Sequence, residues 1–170
     1  MPTTIATDSA AWLIRVTLTG EALMRLSPVL EAERAQAVAD LEVENHFFPS
    51  AAKARSAGPF ALRLAIQDGR LVFDIRAEDD TKLTAVALAL GPFRRLIKDY
   101  QLLVESHIKA VHEGRAERIQ AIDMGRRGLH NEGADLMIAR LGGKITVDFE
   151  TARRLFTLLC VLHQRMDSHP

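Results

Sequence analysis

Two rhythms of apolar residues run along this chain, and the change from one to the other divides it. Trp12, Ile14, Val16 and Leu18 alternate with Leu13, Arg15 and Thr17, a period of two that predicts a half-buried strand closed by Gly20. Phe60, Leu62, Leu64 and Ile66 alternate in the same way, and Asp68-Gly69 separates them from a further run, Leu71, Phe73 and Ile75. Asp-Gly suits the left-handed dihedrals of a two-residue hairpin turn, so these strands are expected to pair antiparallel. Thr81 to Leu90, after the acidic turn Glu78-Asp79-Asp80, supplies a neighbouring strand. Beyond Gly91-Pro92 the period becomes 3.6: Phe93, Ile97, Tyr100, Val104 and Val111 trace one helical stripe that stops near Gly114. A second helix of this half starts around Arg115. Gly142-Gly143 break the pattern, Ile145 to Val147 extend, and Asp148 caps an apolar helix reaching about Met166. One helix interrupts the strand-rich half, where Ser27-Pro28 offers an N-cap and a first-turn proline and Leu30, Val38 and Leu41 recur until about Asn45.

Strands first and helices later predict an α+β fold, a small antiparallel sheet of three or four strands packed against four helices. A chain of 170 residues is most economically a single domain, 1–170, with 1–10 and 167–170 as flexible ends and 49–59, bounded by Pro49 and Pro59, as a loop. On the first helix, Glu31, Glu33, Glu42 and Glu44 read as a solvated face. Tyr100 and Met124 count as core. In the last helix Leu155, Phe156, Leu158, Leu159, Leu162 and Met166 wrap most of the circumference, which fits a central helix first and a homodimer or partner interface second.

Composition removes several function classes. Aromatic residues make up 5% of the chain, too few for a nucleic-acid platform of stacked rings. Lysine plus arginine and aspartate plus glutamate both number 22, so there is no global charge to attract nucleic acid or anionic lipid. The lone cysteine, Cys160, excludes an intramolecular disulfide and a thiolate metal cage, and its apolar neighbours point to a buried, inert thiol. No apolar run is long enough to span a membrane and no signal peptide is legible, so a cytoplasmic location is expected.

Candidate chemistry concentrates in Asp123-Met124-Gly125-Arg126-Arg127-Gly128-Leu129-His130-Asn131-Glu132-Gly133. Together with Pro92-Phe93-Arg94-Arg95 and Asp148-Phe149-Glu150-Thr151-Ala152-Arg153-Arg154-Leu155-Phe156-Thr157, this segment resembles a small alphaproteobacterial family, uncharacterised protein family 0262. That family has no assigned activity, so the resemblance implies no substrate, cofactor or partner for these residues.

In one unbroken helix the three glycines cost about 2.5 to 3 kcal/mol relative to alanine. Either another helix packs closely on Gly125 and Gly128, or the helix breaks at Gly125-Arg126-Arg127-Gly128 and presents outward-facing amides. The broken form resembles the Gly-x-x-Gly loop with which KH domains clamp a nucleic-acid backbone, although a helix precedes it here instead of a strand. Arg94, Arg95 and Lys98, and again Arg153 and Arg154, sit at helix starts, where cations oppose the helix dipole and call for a nearby anion. Asp99 and Glu150 can fill that role locally.

His130 is the candidate for acid-base work, but Asp123 lies seven residues away, about 10.5 Å along a helix axis, and Glu132 points to another side. His107 and His112 are five apart, which spoils a one-face metal pair. No nucleophile elbow, phosphate loop or dinucleotide motif is present, and no cofactor or metal is called. Three readings follow. The first is a non-enzymatic binding module that docks RNA or an acidic protein surface through Arg126, Arg127, His130, Asn131, Glu132, Arg94, Arg95, Arg153 and Arg154. The second is a small enzyme acting on an anionic metabolite with His130 as acid and base. The third is a structural subunit of an assembly.

Overall fold

The computed structural model describes residues 10–19 and 27–167, with side chains up to residue 163. The expected loose ends at 1–10 and 167–170, and the closing Gly20, fall outside the described residues except for Ala10 and Asp167. The described chain runs β1 (Leu13–Leu18), α1 (Pro28–Val43), β2 (Phe47–Pro49), β3 (Phe60–Gln67), β4 (Arg70–Ala77) and β5 (Lys82–Ala89). A short 3-10 turn at Gly91–Phe93 leads to α2 (Arg94–His112), α3 (Ala116–Leu141), β6 (Ile145–Val147) and α4 (Phe149–Asp167). This is the expected α+β architecture with four helices.

The main sheet has the order β1-β3-β4-β5. At the hairpin between β3 and β4, Asp68 and Gly69 both adopt positive φ, 52° and 72°, the paired left-handed dihedrals that the twist of the two strands demands. The sheet is mixed and not wholly antiparallel, because β1 runs parallel to β3. The reason is the intervening α1: a helix between two strands carries the chain back to its starting end and makes a parallel pair possible.

A register shift between Leu13 and Arg15 inserts Ile14 as an extra residue and changes the phase of β1. Leu13, Val16 and Leu18 are therefore buried, while Trp12 stands half-exposed. The free edge of β1 is covered by side chains from the end of α1. The Val16 amide donates to Glu42 Oε2 at 3.0 Å, and Asn45 accepts from the Leu13 amide at 2.6 Å and donates back to the Leu13 carbonyl at 2.9 Å. Glu42 thus satisfies a strand edge, where a solvated face was expected.

The stretch 49–59 is less free than a loop between two prolines suggests. Its start belongs to β2, which pairs antiparallel with β6, and Ala54 within it is fully buried. A three-residue strand is too short to show a period, which is why the sequence pattern missed it.

The last helix holds the centre. α4 packs against α1, α2, α3 and β3, and Ala152, Leu155, Phe156 and Leu158 to Leu162 are all at most 2% exposed. Up to Leu162 the apolar circumference is covered by this chain itself. Met124, expected in the core, lies outside it at 68% exposed, and Val111, the last residue of the predicted helical stripe, is 54% exposed. α3 turns Ile122, Leu129, Gly133 and Met137 inward, and Met124 falls on the opposite side.

α3 is unbroken from Ala116 to Leu141, so the Gly-x-x-Gly segment forms no loop. Close packing explains one of its glycines. A Cβ on Gly133 would lie 2.4 Å from the Phe156 ring, whereas one on Gly125 would make an ordinary contact with Leu103 and one on Gly128 would meet nothing within 4 Å. Among the described residues no helix is long and apolar enough to cross a membrane.

Candidate functional site

Helical spacing of i, i+3, i+4 and i+7 puts four side chains on one stripe. On α3 that stripe is Asp123, Arg126, Arg127 and His130; on α1 it is Glu33, Gln36, Ala37 and Asp40. The two stripes face each other across a cleft of about 270 Å³, and Arg153, Arg154 and Thr157 of α4 complete its lining. Four arginines and three carboxylates therefore meet in one concavity.

The charges are only partly matched. Arg126 forms a close, largely buried ion pair with Glu33. Arg154 reaches Asp40 at 3.5 Å and Glu150 at 3.3 Å, and Arg153 reaches Glu150 at 3.5 Å. Glu150 serves as the local partner its position suggested. Asp123 faces His107 at 3.8 Å. Arg127 is exposed and has no ion pair among the described residues.

Beneath the arginines lies a layer of buried polar groups. His130 is 6% exposed, its ring stacked on Tyr100 at 5.8 Å and edge-on to Phe156 at 6.1 Å. His130 Nε2, Arg153 Nε and the Tyr100 hydroxyl are buried without a hydrogen-bond partner among the described residues. Burial, then the positive charges of Arg126 and Arg153, hold the His130 pKa down to about 4, so its imidazole is neutral at pH 7. Burial and the nearby Glu33 carboxylate push Tyr100 upward and keep its hydroxyl protonated. The same two causes raise Cys160, which is an inert, fully buried thiol. Glu33 lines the same cleft as His130, with its side chain only 15% exposed.

The expected site residues thus divide. Arg126, Arg127, His130, Arg153 and Arg154 come together. Arg94, Arg95, Asn131 and Glu132 do not line this cleft; all four are exposed. Arg95 pairs with Glu132 at 2.6 Å and with its expected partner Asp99 at 3.2 Å, tying α2 to α3. His130 lines the cleft and not a convex surface, and among the described residues no carboxylate forms an ion pair with it. Sequence reasoning missed Glu33, Gln36 and Asp40. They form a polar stripe at helical spacing beside the buried Leu30, Ala37 and Leu41, and nothing local separates that stripe from a solvated face.

A sequence profile of the Uncharacterised protein family (UPF0262) matches residues 10–165. The chain belongs to that family. A UPF0262 protein of Granulibacter bethesdensis is 67% identical over 159 residues, covering 91% of this chain and 90% of its own length. One from Acidiphilium cryptum is 56% identical, covering 90% and 93%, and one from Maricaulis maris is 51% identical, covering 92% and 96%. The UPF0262 match spans every element of the cleft, from α1 through α3 to the part of α4 that lines it. No solved structure matches the chain.

Proposed function

We propose that this chain is a binding module for a small anionic ligand, which it seats in the cleft between α1, α3 and α4. The observation that carries the reading is the convergence of Arg126, Arg127, Arg153 and Arg154 above a neutral, buried histidine with an unused ring nitrogen. Arginine forks match carboxylate and phosphate oxygens, and a partly buried cleft strengthens that attraction over its value in water. A volume of about 270 Å³ suits a small molecule or the head of one better than a nucleic-acid strand or a folded protein surface. Binding is preferred to catalysis because a histidine with a pKa near 4 and no carboxylate partner is a weak base at neutral pH. The reading takes the protein to work in the cytoplasm, in keeping with its lone buried cysteine.

The test is a thermal melt of the wild type and the Arg126→Ala, Arg127→Ala variant in a panel of small anions at low ionic strength. A ligand that binds only the folded state raises the midpoint. The wild type is expected to gain several degrees with at least one anion, and the variant, which melts cooperatively at a lower midpoint because Glu33 has lost its partner, to gain nothing. Stabilisation of both proteins alike would overturn the reading. Stabilisation by an RNA oligomer or an acidic peptide alone would transfer the site to a macromolecular partner.

A further inference from the structure

The inner end of the cleft holds more donors than the carboxylates within it can use. Arg126 is paired with Glu33, a side chain only 15% exposed that lines the same cleft as His130 and Arg153. Beside that pair sit Arg153, with a buried Nε that finds no acceptor, and His130, more than nine-tenths buried with Nε2 also unused. A buried donor without a partner is costly and calls for an explanation. Glu33 Oε1 is taken by Arg126 Nη2, and among the described residues no hydrogen bond joins Glu33 to Arg153 Nε or His130 Nε2. A tetrahedral oxyanion has enough acceptors for the Arg126 fork, Arg153 Nε–H and, in its Nε2–H tautomer, His130.

We propose that this seat is built for a phosphate dianion, free or as the head of a small monoester, and that Glu33 occupies the anion position until the ligand displaces it. The proposal rests on the anion-binding reading above and gives it a chemical class. Glu33 is tethered, so it competes at high effective concentration, and a free monocarboxylate only exchanges one such contact for another. A dianion brings a second charge and extra acceptor oxygens, and so can win against the tethered carboxylate. Glu33 leaves the floor with its charge free to turn outward along the stripe it shares with Gln36 and Asp40.

Isothermal titration calorimetry at low ionic strength tests this, with inorganic phosphate, glycerol phosphate and acetate as probes. Wild type is expected to bind at least one phosphate probe about tenfold or more tighter than acetate, the scale of one added charged contact. Glu33→Gln, which keeps an acceptor for Arg126 and loses the charge, is expected to bind inorganic phosphate about tenfold tighter still. His130→Phe keeps a ring between Tyr100 and Phe156 and is expected to weaken phosphate while leaving acetate unchanged. Monoester binding tighter than inorganic phosphate supports a metabolite head as the ligand, and the reverse order supports free phosphate.

Glu33→Gln weakening phosphate would overturn the role given to Glu33. Equal affinity for phosphate and acetate, both dependent on Arg126 and Arg127, would overturn the dianion and leave the anion-binding reading standing. If no probe binds the wild type or Glu33→Gln, both fail. Melting midpoints of each variant, measured alongside, separate a lost contact from a lost fold.

Discussion

On the face of the sheet opposite the core, Arg15, Arg63 and Arg76 gather around Asp80, at 3.9, 2.6 and 3.9 Å, and Arg76 also takes Asp74 at 3.0 Å. In the helical layer, Arg126, Arg127, Arg153 and Arg154 gather around Glu33 and Asp40. The two groups have similar inventories and different surroundings. The sheet group's arginines lie on strands and Asp80 in the turn between β4 and β5, with Asp80 and Arg63 44% and 39% exposed, so water solvates whatever the ion pairs leave unmatched. Its one buried leftover is Asp74 Oδ1, whose sister oxygen holds Arg76 through two nitrogens. The cleft group curves around a floor that water does not freely reach, and its leftovers among the described residues are His130 Nε2, Arg153 Nε and the Tyr100 hydroxyl, each able to donate. The number of charges is thus a poor marker of a binding site; unused donors at the base of a concavity are a better one.

The cleft depends on the close approach of α3 to α4, and that approach can be broken at one atom. A Cβ at Gly133 would lie 2.4 to 2.6 Å from three atoms of the Phe156 ring, which is itself fully buried and has no room to swing away. Gly133→Val is expected to cost about 3 kcal/mol or more by overpacking and to open the contact that holds His130 against Phe156. Urea unfolding would measure it. A loss under about 1 kcal/mol would mean that the two helices separate easily and that the floor is not a fixed seat.

Titration gives a second contrast. The His130 pKa is about 4 in the folded chain against 6.5 in the unfolded chain, because burial and the flanking arginines disfavour the charged ring. Between those values only the unfolded chain binds the proton, so stability falls as the pH drops from about 6.5 to about 4 and is fully present above that window. Measured against His130→Phe, which has no such proton, the wild type is expected to lose about 2 kcal/mol more between pH 7.5 and pH 4.5. Parallel pH profiles for the two proteins would show that His130 is solvated, and with it the floor of the cleft.

What was legible beforehand follows from range. The Asp68-Gly69 hairpin, the capped helix at Ser27-Pro28 and the all-round apolar last helix are each written in a few adjacent residues, and each appears as expected. Arg126, Arg127 and His130 were visible because they share one helix. Glu33 was not, because its meaning depends on Arg126, 93 residues away, and a glutamate on a polar stripe has the same local signature whether it meets solvent or a guanidinium. The parallel pairing of β1 and the side-chain cover of its edge by Glu42 and Asn45 are long-range in the same sense. The burial of His130 likewise depends on Tyr100 and Phe156, on two other helices.

The smallest effect tests the other side of the comparison. Asp80 is the hub of the sheet network, and it adopts a left-handed φ of 74°, which asparagine tolerates as readily. Asp80→Asn therefore removes the charge and keeps the backbone. With its side chain 44% exposed, the expected loss is about 0.5 kcal/mol at low salt. In about 1 M salt, where the screening length falls to roughly 3 Å, that loss should shrink toward zero. Urea midpoints of wild type and variant at both salt levels give the answer. A loss above about 2 kcal/mol that persists in high salt would mean the sheet network is as poorly solvated as the cleft. Exposure would then no longer separate the two groups, and the unused donors beneath Arg126 would have to be explained by the strain of packing α3 on α4 instead of by a ligand.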